Sequence, residues 1–237
     1  MKRKDYKKPT MQVVKLQQRM HLLRMLAAIL TICGASVFTA CTGDISDIPV
    51  KPVGIAIDET NFPDAAFRQC LFDYYKFAKD GILTDEEIKN TTTLEVDWED
   101  IKNLKGIEYF TALEELDCSG NDLTEFDLSM NIWLEELYCA GNGLAKLDVS
   151  TIQALEMIQC YNNKISGQNM DNLIGSLPLN DTPTYFDFVV IDYSEGVEME
   201  GNVITKSQVE AAKAKGWLPQ QWDDDEEDWV EYPGSDN

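Results

Sequence analysis

The sequence predicts an α+β repeat solenoid, a short right-handed coil with a parallel sheet, a helical N-terminal cap and a mixed helix and strand C-terminal cap. Three observations predict it. Three blocks superimpose without a gap at a period of 21 residues, Leu113–Leu123, Leu134–Leu144 and Leu155–Ile165. Before them, residues 61–77 carry Phe67, Cys70, Leu71, Tyr74 and Tyr75 at helical spacing. After Ile165 the period breaks into one helix-spaced run, one strand-spaced run and a second helix.

The first element is a leader, residues 1–40. In a chain of 237 residues it holds eight lysines and arginines against one acid, Asp5. Its +7 set against the whole chain's −22 leaves −29 for residues 41–237. A surface that acidic repels phosphate backbones, which argues against nucleic acid and makes a basic partner the easier one to bind. The basic start runs into Met25–Ala40, 16 mainly apolar residues. That is short of the roughly 20 needed to cross a bilayer as a helix, and it reads as a secretion signal, with Met11 and Met20 as alternative starts. The run ends in Phe38-Thr39-Ala40-Cys41, which resembles a bacterial lipobox with Phe in the place usual for Leu. The resemblance implies lipidation of Cys41; an ordinary signal peptide cleaved nearby is the other reading. Residues 41–54 are polar, carry Pro49 and Pro52, and suit a flexible tether. Within them Asp44 and Asp47 resemble the acidic export tags of Bacteroidetes surface lipoproteins.

Residues 55–90 form the helical N-terminal cap. Asn61 and Asp64 are candidate helix caps beside Pro63, and Thr84 with Glu87 makes a capping box for a second helix. The connecting segment resembles an EF-hand loop, with Asp80, Gly81 and Glu87 at positions five, six and twelve. Lys76 and Ala78 fall on positions one and three, where calcium needs carboxylate oxygens, so the segment reads as structural and no metal is assigned to it.

Residues 91–166 are the repeats. Leucine or isoleucine recurs at 113/134/155, 116/137/158 and 123/144/165, cysteine at 118/139/160, and asparagine at 121/142/163. The pattern L-x-x-L-x-C-x-x-N-x-L is the leucine-rich-repeat signature. A looser leading copy has Leu94, Val96 and Ile101, with Glu99 near the asparagine position. The Leu-x-Cys alternation points two side chains inward from a short strand. One repeat cannot cover its own apolar stripe, so about three or more must stack. The asparagine is placed to pair backbone groups at the turn that leaves the strand. The return segments repeat a phrase, Leu-Thr-Glu-Phe-Asp-Leu-Ser129 and Leu-Ala-Lys-Leu-Asp-Val-Ser150, which reads as extended chain. Together with the cysteines, this phrase resembles the 21-residue repeats of internalin-like cell-surface proteins and of Bacteroidetes leucine-rich-repeat lipoproteins.

Residues 167–237 read as a C-terminal cap. They hold helix spacing at Met170, Leu173, Ile174 and Leu177, a strand over 185–192, and a helix that Thr205 opens and Gly216 stops. The acidic run 223–228 reads as a solvated loop, with cation binding left open.

Chemistry is scarce. The only histidine, His21, lies in the leader, so the mature chain lacks an imidazole for a Ser-His or Cys-His nucleophile or a His-bearing zinc site. No phosphate-binding glycine loop is present. Cys118, Cys139 and Cys160 share one inward position and form a line about 4.8 Å apart, which suits packing better than metal ligation. The reading is therefore a non-enzyme, with no catalytic residue and no cofactor. Its candidate contacts are the outward strand positions of the concave face, Glu115, Asp117, Glu136, Tyr138, Gln159 and Tyr161, and the tyrosines are the strongest. The expected role is a lipid-anchored surface protein, exported to the outer membrane and touching the membrane only through its lipid. It would bind an unidentified, basic protein partner; a glycan-binding accessory protein for nutrient uptake is the alternative.

Overall fold

The computed structural model describes residues 54–73, 75, 81–192, 200–223, 226 and 228–236. The leader, Cys41, the tether up to Val53, and Lys76, Ala78 and Asp80 lie outside the described residues.

The solenoid is built on one seven-stranded sheet in the order β3-β4-β5-β6-β7-β8-β9. Its strands are β3 (Thr93–Glu95), β4 (Glu115–Asp117), β5 (Glu136–Tyr138), β6 (Met157–Gln159), β7 (Phe186–Ile191), β8 (Trp217–Asp223) and β9 (Asp228–Glu231). All neighbours are parallel except β8 and β9, which form an antiparallel hairpin. The sheet register puts the leucine positions opposite one another, Leu94 on Leu116, Leu116 on Leu137 and Leu137 on Ile158. Each of these side chains is fully buried. The stack continues through Phe188, which faces Ile158 although its strand no longer keeps the 21-residue spacing.

Ahead of the stack, β1 (Gly54–Ala56) pairs antiparallel with β2 (Ile82–Thr84); α1 (Ala65–Asp73) lies between the two strands in sequence and α2 (Asp85–Asn90) follows β2 directly. Asp64 caps α1 by accepting from the N–H groups of Ala66 and Phe67. Its second oxygen accepts from Lys102 and Asn103, tying the cap to the first repeat. The Thr84–Glu87 capping box forms as the sequence predicts. It commits the Glu87 carboxylate to the Thr84 N–H and hydroxyl, both at 2.7 Å. The Tyr75 hydroxyl donates to the carbonyl of Glu95 and accepts from its N–H, so the outer edge of β3 is closed by a side chain.

The asparagines hold the turns together. Asn121, Asn142 and Asn163 each donate to the carbonyl of their own cysteine and to one in the preceding repeat. Each carboxamide oxygen accepts from a backbone N–H in the preceding turn, that of Ile101, Leu123 or Leu144. Successive asparagines share an acceptor: Cys118 O and Cys139 O each receive two amides. The series has a fourth member that the sequence period does not mark. Asn202 donates to Cys160 O and Val190 O and accepts from Ile165 N at 2.8 Å. In the strict repeats the asparagine follows the strand-end cysteine by three residues; here it follows Val190 by twelve, after a chain excursion. Glu200 pins that excursion by accepting from the N–H groups of Asn162, Asp192 and Asn202.

The return segments differ. Those after β4 and β5 carry no helix, as expected, and bury Leu128, Leu147 and Val149, while Phe126 remains half-buried. The first return contains a 3-10 turn, Ile107–Tyr109, and the fourth contains α3 (Gln168–Ser176), whose Met170, Leu173 and Ile174 enter the core. The helix α4 (Lys206–Ala214) opens on a Thr205–Gln208 capping box. Cys70, Cys118, Cys139 and Cys160 are free and buried. No helix among the described residues is long and apolar enough to cross a membrane.

Candidate functional site on the open face of the sheet

Alternation along each three-residue strand buries the middle side chain and leaves its two neighbours half-exposed. The sheet register turns these into two rows across the open face. One row runs Thr93, Glu115, Glu136, Met157 and Asp187; the other runs Glu95, Asp117, Tyr138, Gln159 and Val189. The structure thus brings five of the six sequence-predicted contact residues side by side, Glu115 against Glu136 and Asp117 against Tyr138 against Gln159. Tyr161 follows two residues past Gln159 and lies against Trp229, with ring centroids 5.1 Å apart and ring planes tilted by 39°.

The face is acidic in a graded way. Residues 91–101 carry four acids, 113–121 three, 134–142 two and 155–163 one, and these four stretches contain no lysine or arginine. Like charges stand directly opposite each other at Glu95–Asp117 and Glu115–Glu136, an arrangement that costs stability. Burial pushes the Glu115 carboxyl above its ordinary range, and the charges of Glu136, Glu95 and Asp117 push it the same way. Glu135 is raised by burial, then by Glu114 and Glu156. The Tyr138 hydroxyl donates to Glu136 at 2.6 Å, so its ring lies among these carboxylates.

At the other end the face is covered. Trp222 and Trp229 pair across the β8–β9 hairpin, 5.4 Å between ring centroids and nearly perpendicular, and Trp229 reaches Tyr161. Val189, in an outward row, is buried. The accessible site is therefore β3 to β6, with Tyr138 and Gln159 near its covered end.

Sequence reasoning missed Trp98. The residue just before each asparagine position adopts positive φ, at Gly120 (65°), Gly141 (62°) and Asn162 (53°), and in the leading repeat the same position is Trp98 (56°). A left-handed conformation costs an ordinary side chain roughly 1–2 kcal/mol. Trp98 is nonetheless 77% exposed. Aligning residues 94–101 with 116–123 places Trp98 under Gly120, a signal that was available in the sequence.

A second concavity of about 1300 Å³ lies on the return side, between the 3-10 turn and α3. Its lining mixes Lys102, Lys105 and Lys146 with Glu125, Asp127 and Asp148. Two of those lysines are in ion pairs, Lys102 with Asp122 and Lys146 with Glu125. It lacks the single sign of charge that distinguishes the sheet face. Among the described residues no three His, Cys, Asp or Glu side chains are grouped to hold a metal ion.

No family model matches the sequence, and no curated protein matches it. Fifty chains of known structure do match. An internalin, InlF, from Listeria monocytogenes strain 4b F2365 superimposes over 73% of this chain and 54% of its own, with 20% identity and a TM-score of 0.51. An internalin C2, InlC2, from the same strain covers 73% of both chains at 18% identity and a TM-score of 0.49. The functional domain of InlJ from Listeria monocytogenes, which includes a cysteine ladder, matches at 26% identity over 62% of this chain and 31% of that domain, with a TM-score of 0.43. The match thus spans about a third of the InlJ domain and about half of InlF. The chain has a leucine-rich-repeat solenoid fold. Within that class its fold is internalin-like.

Proposed function

We propose that this chain is a lipid-anchored protein of the bacterial outer surface, of the Bacteroidetes type, that binds another protein through the open face of its sheet. In this reading the sheet is the concave side of a right-handed coil, the segments before β3 and after β6 are its caps, and no reaction is catalysed. The carrying observation is the face itself: strands β3 to β6 present Glu95, Glu115, Asp117, Glu136, Tyr138 and Gln159 with no cation among them. Partners are recognised through rigid aromatic contacts surrounded by complementary charge. The internalin-like fold supports a binding role, and the Ala40-Cys41 junction supports the anchor.

Two experiments test it. A photo-reactive phenylalanine analogue at position 138 or 159, in cells displaying the full chain, is expected to cross-link to a protein, whereas the same analogue at Ala145 on the return side is not. A cross-link from 145 alone would reject the sheet face. Labelled palmitate is expected to enter the wild type and not Cys41→Ser; equal labelling would reject the anchor.

A further inference from the structure

We propose that Trp98 and the carboxylates beside it form a receptor for a lysine or arginine side chain of the protein partner, an inference that rests on the sheet-face reading above. A Cβ added to Gly120 would fall 2.4–2.6 Å from the Trp98 indole, so the ring lies directly against the glycine. One face of the indole is thus backed by the turn of the next repeat, whose neighbour Gly141 continues the side-chain-free strip. The other face accounts for the 77% exposure. An indole seated on a glycine with its other face open attracts cations, because the ring's π cloud is its negative pole.

The surroundings choose the cation over other occupants. Asp97, Glu99 and Asp100 adjoin Trp98 in the chain, and Glu95 stands opposite Asp117 on the first two strands. This is the acid-rich end of the gradient, four acids and no base over residues 91–101. A basic side chain laid on Trp98 would stack on the ring beside the acids that adjoin it in the chain, Asp97 and Asp100. A neutral sugar ring would use the indole and leave the charge imbalance untouched. The Asp97–Asp100 cluster alone would hold any counterion loosely; the backed indole is what makes the place specific for an organic cation.

The test uses the full chain and a fluorescent octapeptide of alternating lysine and serine. Trp98→Gly leaves net charge unchanged and places in the turn the residue that repeats two and three already use there, so the fold is kept. It is expected to weaken peptide binding about 5-fold, the loss of one cation–π contact. Asp97→Asn with Asp100→Asn, the acids adjoining Trp98 in the chain, is expected to weaken binding by at least as much. Glu125→Gln with Asp127→Asn, the same charge change on the return side, is expected to stay within about twofold of wild type. Wild-type affinity in Trp98→Gly, or equal losses from the Asp97–Asp100 and Glu125–Asp127 pairs, would overturn the proposal. So would binding of an uncharged hexasaccharide that quenches Trp98 while the lysine peptide does not bind. These failures remain distinct from failure of the sheet-face reading: cross-linking from position 138 would persist if only the cation receptor were wrong.

Discussion

Replacing Asn202 by alanine should destabilise the protein at least as much as replacing Asn163, although only Asn163 lies in the visible repeat. The Asn202 carboxamide accepts from Ile165 N at 2.8 Å and donates to Cys160 O at 2.7 Å and Val190 O at 3.0 Å. Cys160 O also receives Asn163 and keeps that partner. The Ile165 N–H and the Val190 carbonyl would lose their side-chain partner in an interior where Asn202 itself is 2% exposed. At about 1–3 kcal/mol for each buried group left unpaired, the expected loss is about 3 kcal/mol. For a chain of this size that lowers Tm by about 9 °C. Asn163→Ala strands only Leu144 N, because Cys139 O keeps Asn142 and Cys160 O keeps Asn202, so its loss should be about 1–3 kcal/mol and no larger than that of Asn202→Ala. Asn172→Ala, on the exposed side of α3, should change stability by less than about 0.5 kcal/mol. Thermal melts of the three variants followed by circular dichroism decide the matter. If Asn202→Ala melts within about 2 °C of wild type while Asn163→Ala does not, the asparagine series does not extend into the fourth turn.

Glu115, Glu135, Glu156, Asp187 and Glu200 all have carboxyls raised by burial, most of them further by neighbouring acids. A raised acid favours the folded state when protonated, so its stabilisation is complete below the ordinary carboxylate range and is lost as pH rises through the folded value. Tm should therefore rise as pH falls from 8 towards about 5, and a steady fall over that window would contradict the assignment. Burial holds the Cys70 thiol up at about 11 and those of Cys118, Cys139 and Cys160 higher still. Iodoacetamide at pH 8 should label none of these four in the folded protein and all four in urea, read by mass spectrometry of the peptides; native labelling of Cys139 would show that the stack opens. Trp229→Ala removes its ring contacts with Tyr161 and with Trp222, at about 0.5–1.5 kcal/mol each. It should abolish the near-ultraviolet couplet of the Trp222–Trp229 pair, and an unchanged spectrum would place the hairpin elsewhere.

By itself the sequence determined the stack. A strict period writes the same inward residue at the same place in each turn, so Leu94, Leu116, Leu137 and Ile158 could be aligned before any coordinate was known, and the capping boxes at Thr84 and Thr205 are local in chain and equally legible. Five of the six contact candidates followed from the same alternation. Tertiary structure decided what a period cannot encode. Asn202 reaches its turn across an excursion of variable length, and spatial proximity rather than spacing makes it the fourth asparagine. Nothing local to Tyr161 shows that a hairpin some 70 residues later carries Trp229 against it. Trp98 shows the two levels together: its position in the repeat was readable, but its left-handed backbone and its seat on Gly120 arise only when adjacent turns are stacked. Local rules repeat with the sequence, whereas burial and charge opposition belong to pairs of residues that only the folded chain brings face to face.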